Sequence, residues 1–388
     1  MLLTLFAFFI VLSILVIVHE VGHFWTARRF GVKVDEFGLG LPPRAIGFYR
    51  DDSGKIKTVG IKHTETKKMI WSLNWIPLGG FVKIKGEEGD GPKDPDSFVS
   101  QKVWKRIIIV SAGVFMNFIL AAFLLTVSLT FGSPQMIENN LSKLAKVSDE
   151  KIRIVDVLPG SPAAKAGIVI GDNIISIDNA DFSKIENIQE YMNEKLGQTV
   201  VVKVEKQAEV IDLEISPIVL GETQKGGIGV ALVKIGFVSY PWYISWWYGF
   251  GETFKTIGDV LYGFYAMLKN LIVDRQMIGE VYGPVGIAGM VGDAARMGFL
   301  YVLQFTAILS ILIAVINFLP FPALDGGRVF FLIIEGIRRK PVNQRFEAAM
   351  HNIGFALLMI MVVIVTFRDI ARVSSGFVNW WQKISGLF

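Results

Sequence analysis

Residues 2–23 read LLTLFAFFIVLSILVIVHEVGH. From Leu2 to Val18 only Thr4 and Ser13 interrupt the apolar run, which then meets His19, Glu20 and His23. A run of this length and character reads as a membrane helix. On a helix, residues four apart share a face, so His19 and His23 can offer two imidazoles to one metal ion with Glu20 beside them. HExxH in this form is the layout of a zinc hydrolase that uses a carboxylate as its base. Ionisable groups at membrane depth are costly and are usually there for function. Three fixed positions also occur by chance in ordinary helices, so the rest of the chain must supply a third ligand and a reason for the membrane.

The 388 residues are 52% hydrophobic, with a mean hydropathy of +0.47. That is too apolar for an ordinary soluble protein and fits one that is partly embedded in a membrane. Cysteine is absent, which excludes disulfides and thiolate metal sites. Any zinc must be held by histidine and carboxylate, and the histidines are His19, His23, His63 and His351. The net charge is +4, with no dense Lys/Arg block interleaved with aromatics, so nucleic acid is not an expected partner.

The first helix is expected over about residues 2–27. It lacks the positive leader and small-residue cleavage site of a signal peptide. Arg28 and Arg29 follow it and no Lys or Arg precedes them, which places the N-terminus outside and residues 28–106 in the cytosol. Within the region of about 30–104, residues 56–86 look β-like, and 71–85 fold around Pro77 and a Gly79-Gly80 turn. A small cytosolic hairpin and a hairpin dipping into the membrane both fit. The second would need protein or a wet cavity beside its edge. Ile107 to Phe131 is the second span, with Asn117 its one strongly polar member and Gly113 one turn before it. Close helix packing with an interhelical hydrogen bond and membership of a site both fit this pair.

Residues 132–235 form a β-rich insertion of a size for one small domain, outside the cytosol by alternation. Trp and Tyr crowd positions 240–248, and residues 236–298 read as one or two interfacial amphipathic helices. A further buried or spanning segment is the alternative, against which Glu252, Lys255, Asp259 and Lys269 stand. Phe299 to Leu319 is the third span, stopped by Pro320 and Pro322 before Asp325-Gly326-Gly327. Residues 328–345, with five basic side chains, read as a cytosolic loop, and a fourth helix of about 352–367 returns outward before a C-terminal tail. The expected fold is a polytopic α-helical membrane protein with about four transmembrane helices, an inserted β-rich domain and a membrane-associated β-hairpin region. Its segments are 1–131, 132–235, 236–298 and 299–388.

This topology brings Asp325, just past the cytosolic end of the third span, to the depth of His19 and His23. Two imidazoles and one carboxylate leave a fourth position open, the catalytic pattern of zinc and not the closed structural one. Glu20 would take a proton from water and deliver it to the leaving amine. His351, at a helix entrance, is the alternative ligand behind Asp325, and His63 lies among charged residues and is expected in solvent.

His19-Glu20-x-x-His23 in a first membrane helix, with Asn317-x-x-Pro320-x-Pro322-x-Leu324-Asp325-Gly326-Gly327, resembles the site-2 protease family of intramembrane zinc metalloproteases. The insertion resembles a PDZ domain through Pro159-Gly160-Ser161-Pro162-Ala163, Ala166-Gly167 and Gly171-Asp172. One such domain between the second and third of four spans is similar to the bacterial RseP-type branch, although many of that branch carry two. The resemblance implies one Zn2+ per chain on His19, His23 and Asp325, with Glu20 as catalytic base. It further implies substrate binding by Asn317, by Asn117 of a GxxxN element that begins at Gly113, and by a membrane-reentrant β-loop over 71–85 that includes Gly79 and Gly80. Substrates would be single-span membrane proteins, such as anti-sigma factors or remnant signal peptides, already trimmed by an upstream site-1 protease. The setting would be a bacterial cytoplasmic (inner) membrane, with the N-terminus and PDZ domain extracytoplasmic and the active site near the cytosolic side. The PDZ domain would act as a size filter or as a docking site. Two competing readings are a membrane-anchored PDZ adaptor with a vestigial metal site and a zinc transporter. The transporter would want more carboxylates and histidines along a path, and the second and fourth spans offer none.

Overall fold

The computed structural model describes residues 2–60, 68–87, 94–137, 141–206, 209–219, 226–274 and 281–385. His63 lies outside them. The chain divides into two units, Met1–Thr126 with Trp246–Phe388, and Val127–Ser245.

In the first unit, helix α1 (Leu2–Arg29) carries the long apolar run and ends on Arg28 and Arg29. Cations there suit the negative end of the helix dipole. Strands β1 (Val34–Arg50), β2 (Ile56–Val59) and β3 (Ile70–Ile84) follow in one sheet, in the order β2-β1-β3. Both long strands fold back on themselves. Phe37 of β1 is registered with Val82 on one side and Trp71 on the other, and Gly38 with Phe81 and Ser72. Ile46 to Phe48 pair with the Trp71–Leu73 stretch, and Gly47 to Arg50 pair with β2. The arm Gly80–Ile84 is therefore an edge of the sheet. It lies against α1, since a Cβ on Gly80 would sit 3.3 Å from Val16 Cγ1 and 3.7 Å from Glu20 Cγ. Sequence reading placed strands over 56–86. The structure begins the sheet at Val34, a stretch whose glycines and prolines hide its alternation.

Helix α2 (Val103–Phe131) crosses α1 closely. A Cβ on Gly22 would meet the Ala112 carbonyl carbon at 2.7 Å, so the two backbones approach as small residues allow in membrane helices.

The second unit is the insertion. Strands β4 (Ser133–Met136), β5 (Lys146–Val157), β6 (Asn173–Ile177), β7 (Val200–Lys206), β8 (Glu209–Ile215) and β11 (Val230–Ser239) form a six-stranded sheet, in the order β4-β11-β5-β6-β7-β8. Helices α3 (Pro162–Lys165) and α4 (Ile185–Glu194) and a small pair, β9 (Ile218–Val219) with β10 (Gly226–Gly227), complete it. Its core is built by alternation. Val200, Val202 and Val204 point inward with no exposed surface, against Ile154, Ile177, Ile188 and Met192. Each such side chain stabilises the fold by about 1.5–3 kcal/mol relative to exposure in water. The Pro-Gly-Ser-Pro-Ala motif has a local cause. Ser161 caps α3 by accepting the Ala164 N–H at 3.2 Å, Pro162 opens the helix, and Gly167 at φ +83° ends it.

The chain re-enters the first unit through α5 (Trp242–Lys269), a π-turn over Asn270–Asp274, and α6 (Pro284–Met297). Gly249 of α5 comes up against Thr126, and Ile257 and Val260 pack on a cluster of Ala121, Leu124 and Leu125 with the helix that follows. The stretch from Gly249 to Val260 that carries these contacts spans about 16 Å of helix. In α6, Val291 packs with Val11 and Leu15. Both helices, read from sequence as interfacial, thus lie along membrane spans on one face. Helices α7 (Phe299–Phe318), α8 (Asp325–Arg338) and α9 (Gln344–Ser385) complete the chain. By length and composition, α1, α2, α7 and Gln344–Arg372 of α9 can cross a membrane. The expected loop over 328–345 is corrected in part: α8 is helical, with Val329 and Leu332 buried among Ala27, Phe37, Val82 and Ile109. Its basic residues suggested a loop, but Arg328 stands part-buried beside Val329 and pairs with Glu87, and Arg338 falls in the last turn.

Candidate metal centre

His19 and His23 leave the same face of α1, and Asp325 opens α8. The Asp325 Oδ2 lies 3.0 Å from His19 Nε2 and 3.4 Å from His23 Nε2, and the two nitrogens are 3.2 Å apart. Ligand atoms on a tetrahedral zinc, with bonds of 2.0–2.1 Å, stand about 3.3 Å from one another. The observed triangle has those edges, and among the described residues it is the group of His and carboxylates that could hold a metal ion. Burial pushes the Asp325 carboxyl up, but hydrogen bonds and charge from His19 and His23 outweigh it and hold the group well below the usual carboxylate range.

The rings are set from behind. His23 Nδ1 donates to the Ile109 carbonyl at 2.9 Å, which leaves Nε2 with a free lone pair. His19 Nδ1 lies 3.4 Å from the amide nitrogen of Asn117, whose Oδ1 is buried without a partner. A half-turn of that amide, which exchanges two atoms of nearly equal size, would let Oδ1 accept the Nδ1 proton and free Nε2 of His19 in the same way. Asn117 is itself held in place, its carbonyl accepting from Ser310 at 2.8 Å. An orphaned oxygen at this position is accounted for by an Nε2-ligating histidine, and the donor set fits zinc.

Gly113 makes the room. A Cβ there would lie 2.7 Å from His19 Nε2 and would also strike His23 Nε2. Gly113→Ala is therefore expected to weaken zinc binding by about 10- to 100-fold, the equivalent of a 1–3 kcal/mol overpacking cost. A chelator-competition titration of the purified variant checks this, and an unchanged affinity would show that the rings can give way.

Glu20 follows His19 on α1, with its carboxylate beside His23, His19 and the Val82 amide of the edge arm. Gly80 stands against Val16 and Glu20, while Gly79, at φ +76°, forms the turn before the arm. Asn317 lies in the last turn of α7, half-buried and without a side-chain hydrogen bond among the described residues. Asn117 has no exposed surface, and its side chain meets the His19 ring. His351 is not brought to the ligand triangle; its Nδ1 accepts the Ala323 N–H at 2.9 Å. Sequence reading missed the Ile109 carbonyl, the Gly22–Ala112 crossing and the Ala323 contact. Of these only Gly22, a small residue inside the motif, carried a signal.

The sequence profile of peptidase family M50 matches residues 7–361. The chain belongs to that family. Among relatives, "Putative zinc metalloprotease CPE1693" of Clostridium perfringens is 32% identical over 92% of this chain and 96% of its own length. "Putative zinc metalloprotease CA_C1796" of Clostridium acetobutylicum is 33% identical over 92% of this chain and 94% of its own. The PDZ domain of the SdrC-like protein Lmo2051 from Listeria monocytogenes is similar to 22% of this chain, covering 92% of that domain at 25% identity with a TM-score of 0.21. As a member of the M50, or site-2 protease, family, the chain is a membrane zinc metallopeptidase, and intramembrane proteolysis is the family's general activity.

Proposed function

We propose that this M50 peptidase hydrolyses peptide bonds inside the transmembrane segments of single-span membrane proteins, as the second cut after a site-1 protease has removed their outer part. The observation that carries this reading is the edge arm Gly80–Ile84 lying beside the helix that holds His19, Glu20 and His23. A helical peptide bond is screened by its own hydrogen bonds. Strand addition to the edge would hold the unwound segment extended and satisfy its freed amides next to the reacting groups. The β region is then a membrane-reentrant element, shielded by α1 on its inner side.

His19, His23 and Asp325 would hold the zinc. When bound, zinc polarises the scissile carbonyl and lowers the pKa of water. Glu20 removes one proton from the attacking water as its oxygen bonds to the carbonyl carbon. It returns that proton to the amide nitrogen as the C–N bond breaks, so that one carboxylic acid, which keeps the second proton of the water, and one amine leave. Asn317, with its amide unengaged, holds the backbone of the docked segment. Asn117 acts on the substrate only through the His19 ring.

Arg28 and Arg29 end α1 one to two turns past His23, and Arg338 ends α8 with Arg339 and Lys340 following it before α9. Positive charge of this placement supports an active site near the cytosolic side, with the N-terminus and the insertion outside. The insertion is read as a PDZ module from its motif and its capped α3, and it would filter or dock trimmed substrates.

The test is reconstitution of the full chain with zinc in vesicles alongside a single-span protein with a short outer part. A cut mapped by mass spectrometry inside the apolar segment, and lost on chelation, supports the reading. Cuts confined to soluble segments would overturn it. A Cβ on Gly80 would also come within 3.0 Å of the Gly38 carbonyl. Gly80→Val is therefore expected to displace the arm and lower kcat/KM by about 100-fold, the cost of a misplacement near 1 Å, with zinc content unchanged.

A further inference from the structure

We infer that His351 is a positioning residue for the Asp325 ligand, acting through the turn that carries it. The turn runs from Leu319 to Leu324, between α7 and α8. Ala323 sits in it at φ +85°, a conformation that a residue with a Cβ adopts only under constraint. Its N–H is directed away from the turn's own carbonyls and donates to His351 Nδ1 at 2.9 Å. Asp325 is two residues further on.

The contact is built from several sides. Gly354, one turn after His351 on α9, packs so closely on the turn that a Cβ would sit 2.6 Å from the Pro322 ring carbon Cβ. On the α8 side the ring of Phe331 meets the His351 ring at 5.9 Å between centroids. The turn's remaining bonds are local: Phe321 N–H to the Leu319 carbonyl at 2.7 Å, Leu324 N–H to the Phe321 carbonyl at 3.2 Å, Leu319 N–H to Ile316 of α7, and the Leu324 carbonyl accepting from Gly327 and Arg328 of α8. They shape the turn and join it only to the two helices that flank it. Among side-chain hydrogen bonds to the turn, the His351 contact is the tie to α9.

The ring's other nitrogen, Nε2, is buried with no partner. With Nδ1 accepting, Nε2 carries the proton, and an unpaired buried N–H is a cost. The Ala323 bond is what the ring supplies that an apolar side chain packed on Phe331 would not. Groups that orient metal ligands from outside typically govern metal affinity by about 10- to 100-fold.

The inference rests on the zinc reading of His19, His23 and Asp325, and the test separates the two. The full chain, purified in detergent micelles, is titrated with zinc against a chromogenic chelator. The set is wild type, His351→Ala, His351→Asn and His351→Gln, with thermal unfolding of each metal-free protein beside it. Asn places an oxygen on Cγ, where His carries Nδ1; Gln places its oxygen one bond further out, at the reach of Nε2. The expected result is a zinc affinity about 10- to 100-fold weaker for His351→Ala and His351→Gln and near wild type for His351→Asn, with the unfolding temperatures of the Asn and Gln variants alike. Should His351→Ala fail to fold, the Asn and Gln pair decides. Equal affinity across the set, or equal loss in Asn and Gln, would overturn the role of His351. A wild-type chain that takes up no zinc would overturn the site reading itself.

Discussion

Glu20→Gln is expected to lower the rate of peptide-bond cleavage by about 10²- to 10⁴-fold, the contribution of a positioned general base, while zinc content stays at the wild-type level. The two halves of this result have separate causes. The triangle of ligand atoms is made by His19, His23 and Asp325, and Glu20 is not part of it. Gln keeps the length and shape of Glu beside the Val82 amide, so the arm and helix have no reason to move. What is lost is the oxygen that can carry a proton from water to the leaving nitrogen. Single-turnover cleavage of a single-span substrate in vesicles, with metal analysis of the same preparation, reads both halves. Undiminished cleavage would mean that another group is the base. Loss of zinc along with activity would mean that Glu20 belongs to the metal shell.

Asp325→Ala is expected to weaken zinc binding by more than about 100-fold, since a direct ligand exceeds the 10- to 100-fold effect of the groups that orient ligands. Its carboxylate oxygen is the atom that closes the triangle, 3.0 Å from His19 Nε2 and 3.4 Å from His23 Nε2. Two imidazoles four residues apart on one helix remain without it. Asp325→Asn keeps the volume and removes the charge, so it separates electrostatic from steric loss. It is expected to fall between the Ala variant and wild type. The carboxylate also stands in the first turn of α8, where a negative group stabilises a helix by about 0.3–1 kcal/mol. A small fall in thermal stability of the metal-free protein is therefore expected for both variants. Wild-type affinity in Asp325→Ala would remove this residue from the ligand set and reopen the search for a third donor.

Much of the membrane unit was legible in the sequence because its signals are local. A long, predominantly apolar run names a span, as over Leu2–Val18 and Phe299–Phe318, and the i, i+4 spacing of His19 and His23 follows from the helical repeat alone. The insertion was legible for a similar reason: the spacing of Gly160, Pro162, Gly167 and Gly171 is the spacing of one capped helix and its turns. What was missed depends on neighbours. The fold-back of β1 and β3 has no periodic signature, because its inner arms, Glu36–Leu39 and Trp71–Leu73, are paired on both sides by other arms of the same two strands. Helix α8 was read as a loop because its arginines spoke louder than Val329 and Leu332, which matter only once the sheet and α2 are there to receive them. Helix α5 holds four charged residues that argue against a span, yet Ile257 and Val260 find a bundle to pack against.

The sequence by itself determined the chemistry on offer at HExxH: two imidazoles, one adjacent carboxylate and a membrane setting, all written within 22 consecutive residues. Through the order of its spans it also brought Asp325, just past the cytosolic end of the third, to the depth of His19 and His23, with His351 behind it as the alternative. Only the tertiary structure decided that His19 and Asp325, 306 positions apart, meet at 3.0 Å. It likewise decided that Gly113 clears the space for both rings, and that Ile109 and Asn117 select which nitrogens are free. The physical reason is a difference of scale. A helix repeat sets distances over four residues to within an ångström, whereas a distance across 306 residues is set by how helices, a sheet edge and a proline-bounded turn pack together.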